Sequence, residues 1–190
     1  MSYLHQYLFP SLWVTWLLLW LILGRNVKPA ARRESQRSRL SYTTLILFAA
    51  ILLWPDHFPL DILNRRFLPP SQNEFWVGIL FTLAGLGFSV WARLELGRNW
   101  SGTVTVKHDH ELVTTGPYRV VRHPIYTGML LAFIGVAIAN AEWRGIVALV
   151  LAFIALLKKF KTEERFMREQ FGDVYVDYSR RVSAIIPFVF

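Results

Sequence analysis

Residues 124–157 read PIYTGMLLAFIGVAIAN, AEWR, GIVALVLAFIALL, two apolar runs parted by a short polar break whose Glu142 and Arg144 are the only charges in the stretch. A helix that is apolar all round needs lipid or protein on every side, because water cannot cover it. Pro124 suits the first turn of a helix, where an amide donor is dispensable. The stretch therefore predicts a helical hairpin, with one helix over about 124–140, a tight turn at 140–144 and a second helix from about 145. Each run is shorter than the roughly 20 residues of a full bilayer crossing. Polar helix ends and local bilayer accommodation make up the difference.

Moving outward, the second helix continues past Leu157 into 158–170 and becomes amphipathic as it leaves the lipid. Upstream, apolar spans are expected over 8–24, about 40–54 ending before Pro55, and about 74–91 with an amphipathic continuation to 96. Pro10 fits the first turn of the first span. Pro55, Pro59, Pro69 and Pro70 punctuate a connection with a short interfacial segment at 60–68. Residues 97–110 read as non-helical, since Gly97, Asn99 and Gly102 break helix and Thr103, Val104, Thr105 and Val106 are largely β-branched. The expected fold is all-α, a polytopic membrane bundle of five transmembrane helices with a cytoplasmic pocket. It forms one domain over 1–190, with N-terminal spans in 1–93 and the chemistry in 94–190.

Composition agrees with this. The 190 residues are 54% hydrophobic and 18% charged, against the roughly 25% charged residues of soluble domains. The net charge of +8 comes without zinc-finger spacing or a basic helix. It therefore reads as membrane topology and contact with membrane lipids, with no nucleic-acid partner. The absence of cysteine excludes disulfides and thiolate metal sites. Basic clusters follow the first, third and fifth spans, including Arg25, Lys28, Arg32, Arg33, Arg37 and Arg39. The positive-inside rule then places the N-terminus outside and the C-terminus in the cytoplasm. Arg65 and Arg66, on the expected outer side, count mildly against that orientation.

Two polar stretches fall on the same expected face, 108–126 and 158–178. In the first, Gly116 permits an unusual backbone angle or a close ligand, and Pro117 stiffens the backbone beyond it. Tyr118 is equally at home as an interfacial aromatic. Arg122-His123-Pro124 puts His123 at a helix entrance, where free amides and positive potential favour a carboxylate or another anion. The same residues would also serve as headgroup anchors. In the second stretch, Glu163 and Glu164 are adjacent and so point in different directions on a helix. One can meet a ligand while the other pairs with a basic group, or both can face solvent. No metal constellation, Ser-His-Asp arrangement or Gly-x-Gly-x-x-Gly after a strand is present.

Taken in order, Leu112-Val113, Gly116-Pro117-Tyr118, Arg122-His123-Pro124-Ile125-Tyr126, Glu163-Glu164 and Phe171-Gly172-x-x-Tyr175-x-x-Tyr178 resemble the integral membrane methyltransferases. These include isoprenylcysteine carboxyl methyltransferase and the phospholipid N-methyltransferases. The resemblance covers about 94–187. It implies S-adenosylmethionine as methyl donor, bound around Val113, Gly116, Tyr118, His123 and Tyr126, with Glu163 or Glu164 at its polar end. It also implies a lipidated or prenylated acceptor that stays partly in the bilayer. Methyl transfer from an activated sulfonium needs alignment and solvent control more than acid-base machinery. Arg168, one turn beyond Glu164, and Arg122 are candidates for orienting an acceptor carboxylate, with Arg180 and Arg181 as further cations. Arg168, Glu164 and Arg122 are thus the expected catalytic group.

The leading acceptor is an isoprenylcysteine carboxylate, followed by a phospholipid amine or a thiol. A non-enzymatic scaffold would share the spans without binding the methyl donor. A transporter would call for an inverted repeat or mid-span charges, and neither is visible. Membrane reductases with a related C-terminal architecture carry a larger N-terminal helical complement. Expected locations are the bacterial inner membrane or the endoplasmic reticulum, according to the organism. Nothing in the sequence fixes an oligomeric state.

Overall fold

The computed structural model describes residues 2–53, 58–69, 71–187 and 189, with the side chains of 2–6 left aside. Among the described residues seven α-helices run in the order α1 (Ser2–Leu23), α2 (Gln36–Leu52), α3 (Asp61–Asn64), α4 (Gln72–Leu96), α5 (Pro124–Asn140), α6 (Trp143–Phe171) and α7 (Asp173–Arg181). Pro124 opens α5 as expected, and α6 runs unbroken through the polar continuation. Ala141, left-handed at φ 49°, closes α5. The chain thereby turns directly into α6. The interfacial segment contracts to the one-turn α3. Trp54, Pro55 and Pro70 lie outside the described residues.

The all-α expectation lacks one element. Strands β1 (Ala30–Arg33) and β2 (Thr105–Lys107) form an antiparallel pair, with Arg32 opposite Val106. Half of the basic loop after α1 is thus stitched to the β-branched segment after α4. Glu34 reinforces the stitch, since its backbone N–H donates to the Val104 carbonyl at 3.0 Å and its side chain accepts from the Val104 N–H at 3.0 Å.

The bundle is organised around α4 and α5. Gly78, Thr82, Gly85 and Ser89 fall on one face of α4, all buried, and meet Gly128, Ala132, Gly135 and Ala139 of α5. A side chain on Gly128 would approach Ser89 N at 2.8 Å, and one on Gly78 would reach the Ala139 Cβ at 2.6 Å. Small residues let helix backbones come close where lipid removes any hydrophobic drive toward association. α2 packs on α6 through Ala49, Leu52, Ala148 and Ala152. α1 docks by Phe9 against Phe75 of α4 and by Trp16, whose indole N–H donates to Ser89 Oγ at 2.8 Å.

The lateral surface is apolar, with Leu21 67%, Leu47 59%, Leu80 64% and Val150 51% exposed. Apolar exposure on α1, α2, α4 and α6 alike suits a surface covered by lipid or partners. Among the described residues one helix, Gln72–Asn99, is long and apolar enough by itself to cross a membrane, with Tyr7–Leu23 and Pro124–Asn140 as shorter apolar helices.

The α4–α5 seam gives a paired test. Gly135→Ala should lower stability by about 1–3 kcal/mol, the usual range for overpacking. Gly87→Ala, on the same helix pair but with open space around it, should be neutral or stabilising by up to about 1 kcal/mol. Denaturant unfolding of the detergent-solubilised protein, with the two variants side by side, measures the difference. Equal effects would mean the seam is not where the helices are held.

Candidate active site

Three segments converge beside the α5 entrance: the loop leading into α5, the polar half of α6, and α7 with the tail after it. Arg122 donates from Nε to Glu164 Oε1 at 2.7 Å and from Nη1 to the carbonyls of Ser179 (2.9 Å) and Val182. Tyr175 donates to the same Glu164 oxygen at 3.2 Å, and Arg168 reaches Glu164 Oε2 at 3.3 Å. His123 lies between the two acids, with Nε2 at 3.3 Å from Glu164 and Nδ1 at 3.4 Å from Glu163. Tyr126 donates to Glu163 at 2.5 Å and stacks on His123 with ring centres 5.4 Å apart. Tyr178 donates to the Tyr118 carbonyl at 2.7 Å.

The tail closes this cluster. Ser183 and Ala184 carbonyls accept the backbone N–H groups of Arg122 and His123 at 2.8 and 2.9 Å, and the Ile185 carbonyl accepts Thr127 Oγ1 at 2.6 Å. The backbone N–H groups of Arg122 and His123, just ahead of α5, are therefore taken by the chain's own carbonyls. No signal in 182–185 pointed to this return, because parallel pairing of Val121 with Ser183 leaves no local pattern.

A cavity of about 400 Å³ opens next to the cluster, within the roughly 300–1,000 Å³ range of small-molecule sites. Its polar floor includes Tyr118, His123, Tyr126, Lys159 and Glu163, and its apolar wall includes Trp16, Leu17, Trp20, Leu96, Ile125 and Met129. Trp16 and Trp20 stack at 4.3 Å, and Trp20 meets Trp100 edge-on at 5.9 Å. Trp100 is held in turn by the buried Arg93. The guanidinium lies 4.4 Å from that ring and donates to the carbonyls of Leu23 and Gly97.

Of the residues expected from sequence, Val113, Tyr118, Arg122, His123, Tyr126 and Glu163 line the cavity. Glu164 stands behind the wall as the partner of Arg122. Arg168 is largely exposed, 58% by side chain, with Glu164 as its contact. Gly116 is outside the lining, and its φ of +55° goes with the Glu95 carboxylate lying 2.8 Å from where a Cβ would sit. Its missing side chain makes room for Glu95, which accepts from Thr115 Oγ1 at 2.5 Å. Arg180 pairs with Asp177 at 3.6 Å on the exposed face of α7. Sequence reasoning missed the tryptophans of α1, which lie a hundred residues from the motifs, and Lys159. Among the described residues no group of three or more His, Cys, Asp or Glu is arranged to hold a metal ion.

Comparison with known proteins gives the same picture at the level of family. A family model described as phospholipid methyltransferase matches residues 73–174. A probable protein-S-isoprenylcysteine O-methyltransferase of Oryza sativa subsp. indica is 28% identical over 160 residues, covering 80% of this chain and 84% of the relative. The cobalt-zinc-cadmium resistance protein CzcN of Cupriavidus metallidurans is 33% identical over 115 residues, covering 59% of this chain and 51% of the relative. Among solved structures, the eukaryotic intramembrane Ras methyltransferase ICMT (isoprenylcysteine carboxyl methyltransferase) matches with a TM-score of 0.53 at 23% identity. That match covers 84% of this chain, which spans 55% of the solved chain. The likeness is one of fold.

The charges of the cluster set a pH window. Burial by itself lifts the Glu164 carboxyl, but hydrogen bonds from His123 and Arg122 outweigh it and bring the pKa from 4.5 down to about 2. At His123 burial pushes the imidazole down, and the two carboxylates more than offset it, raising the pKa above 6.5. The depressed acid stabilises the fold above its unfolded value, and that contribution is lost as pH falls from about 4.5 through 2. The raised histidine stabilises below 6.5, and that contribution is lost as pH climbs through its folded value. The acid limb corresponds to roughly 3 kcal/mol, at about 1.4 kcal/mol per pKa unit. Stability measured against pH should therefore fall at both ends. Glu164→Gln should flatten the acid limb and, by removing one of the two carboxylates that raise His123, shrink the alkaline one. His123→Ala should flatten the alkaline limb and shrink the acid one, and unchanged curve shapes would show that the cluster is not what titrates.

Proposed function

The chain belongs to the phospholipid methyltransferase family, and from that membership we propose that it transfers the methyl group of S-adenosylmethionine to an acceptor held in the membrane. The leading acceptor is the carboxylate of an isoprenylcysteine, as the names of relatives such as the rice protein suggest. A phospholipid amine or a thiol comes next. The observation that supports this reading is the two-sided cavity. Its polar floor suits a charged, water-soluble donor, and its wall of Trp16, Leu17, Trp20, Ile125 and Met129 suits hydrocarbon. Leu17 both lines the cavity and is 52% exposed on the flank of α1. An exposed apolar residue on α1 at the cavity suits a prenyl chain that enters without leaving lipid.

The residues fit such a donor. Glu163 accepts from Tyr126 and faces His123, and a carboxylate has about four acceptor positions, so capacity remains for an ammonium. Bound S-adenosylmethionine supplies an already activated methyl carbon. The chain's own residues position the reactants and keep water from the reacting centre. Arg122, with Nε on Glu164 and Nη1 on two carbonyls, fixes the loop that carries Tyr118 and His123. Arg168 bonds the same acid from outside the cavity. A carboxylate acceptor attacks with its own lone pair, and no proton has to move.

The same reading carries five crossings, with the N-terminus outside and the pocket facing the cytoplasm. The natural chain has no cysteine, so single cysteines at Gln36 and Gln72, exposed at the starts of α2 and α4, should react with an impermeant reagent from opposite sides of sealed vesicles. Labelling of both from one side would exclude this topology.

The acceptor is tested with purified enzyme and labelled S-adenosylmethionine. Turnover (kcat/KM) of a prenylated cysteine analogue should exceed that of the same compound without its prenyl chain by at least about tenfold, because a buried isoprenoid contributes several CH₂-equivalents at about 0.8 kcal/mol each. Equal turnover of the two would remove the membrane-fed acceptor from the proposal.

A further inference from the structure

Lys159 is a cavity-lining cation that the motifs do not include. It sits one helical turn before Glu163 on α6, so both side chains rise from the same face. Its Nζ lies 5.4 Å from the Tyr126 ring centre and 5.5 Å from that of Tyr42, and it donates to the Gly102 carbonyl at 3.1 Å. An ammonium has three donors, so that one hydrogen bond leaves two unspent. Among the described residues Lys159 forms no ion pair. The other strongly basic side chain on the cavity wall, Arg122, is already engaged by Glu164 and two carbonyls. Of the two lining carboxylates, Glu111 is already taken by Lys28 at 3.5 Å and Asn99 at 3.3 Å, which leaves Glu163 and Lys159, each with spare hydrogen-bonding capacity, separated by a turn of helix.

We propose that Lys159 and Glu163 together form a receptor for an α-amino acid zwitterion, with Lys159 taking the carboxylate and Glu163 the ammonium of the methyl donor's amino-acid arm. This rests on the methyltransferase reading above and extends it to a residue outside the motifs. Two opposite charges on neighbouring turns discriminate by sign: a ligand lacking its carboxylate leaves Lys159 unsatisfied, and one lacking its ammonium does the same to Glu163. Pinning both ends of the arm also fixes where the rest of the donor lies in the cavity. Lys159 is thereby a binding residue for the donor rather than a headgroup anchor. Nor is it the cation for the acceptor carboxylate.

Binding, not turnover, tests this. Isothermal titration of the full-length protein in detergent would compare S-adenosylhomocysteine, its decarboxylated analogue, and 5′-methylthioadenosine, which lacks the amino-acid arm. Wild type should bind S-adenosylhomocysteine at least tenfold more tightly than the decarboxylated analogue. Lys159→Met should erase that ratio, Lys159→Arg should largely keep it, and affinity for 5′-methylthioadenosine should stay within about twofold throughout. Equal wild-type affinity for the two arm-bearing ligands would overturn the assignment without any variant. Loss of all three ligands on Lys159→Met would do so too, since it would reveal a role in shaping the cavity. If wild type binds none of them, the methyl-donor reading falls and the receptor with it. If wild type shows the ratio and Lys159→Met retains it, only the receptor falls.

Discussion

Glu164 is a carboxylate at 7% exposure, surrounded by donors from three separate parts of the chain: Arg122 and His123 from the loop before α5, Tyr175 from α7, and Arg168 from its own helix. Burying one charge without partners is prohibitive, and removing a single partner from such a network leaves the rest uncompensated. The arrangement is therefore all or nothing. It ties the polar half of α6 to the α5 entrance and draws α7 and the tail over both. Everything that shapes the cavity floor depends on that closure, because Glu163 faces Tyr126 and His123 only when its neighbour Glu164 is anchored on the other side. Adjacent residues on a helix diverge by about 100°. Here that divergence is used, with one acid locking the scaffold and the other reaching the cavity.

The helices themselves were legible because apolar runs are local. Pro124, the break at 140–144 and the change from apolar to amphipathic character after Leu157 placed α5 and α6 closely, and α6 does run unbroken to Phe171. The β-branched run near Thr105 announced extended backbone, but nothing in it named β1 as its partner, since pairing is non-local. The small-residue seam was overlooked for a related reason. Gly78, Gly85, Gly128 and Gly135 look like weak points in separate helices until the two faces are laid together. The motifs supply Tyr118, His123, Tyr126 and Glu163 of the cavity floor but not Lys159, and the wall was not readable because Trp16 and Trp20 carry no signal beyond that of a lipid-facing helix. At Gly116 the expected unusual backbone angle is present, a φ of +55° with the Glu95 carboxyl group beside it.

The seam and the network divide the work of holding the bundle. Along the α4–α5 seam itself, from Gly78 to Ser89 and from Gly128 to Ala139, there is no charge to satisfy, and close backbone approach supplies dispersion contacts where the hydrophobic effect offers little. At the polar end the helices are held instead by hydrogen bonds and ion pairs, which are stronger when water is excluded. Arg93 and Trp100 join the two regimes. The buried guanidinium caps the end of α1 through the Leu23 carbonyl and braces the indole that meets Trp20. Movement of α1 relative to α4 would therefore displace the aromatic wall directly.

That coupling bears on how one cavity can serve two reactants of opposite solubility. A donor with a charged arm is best held by fixed charges, so a rigid floor built on α6 suits it. An acceptor carrying a long hydrocarbon chain gains little from fixed geometry along its tail and most from a continuous apolar path. Trp16, Leu17 and Trp20 of α1 supply much of the wall that would form this path, and among the described residues α1 is held by the Trp16–Ser89 hydrogen bond, the Arg93 cap, aromatic edges and the apolar packing of Phe9, Leu12 and Trp13. Polar floor and apolar wall thus follow from where the chain places its charges, and in the proposed reaction each reactant meets the kind of surface its own chemistry requires.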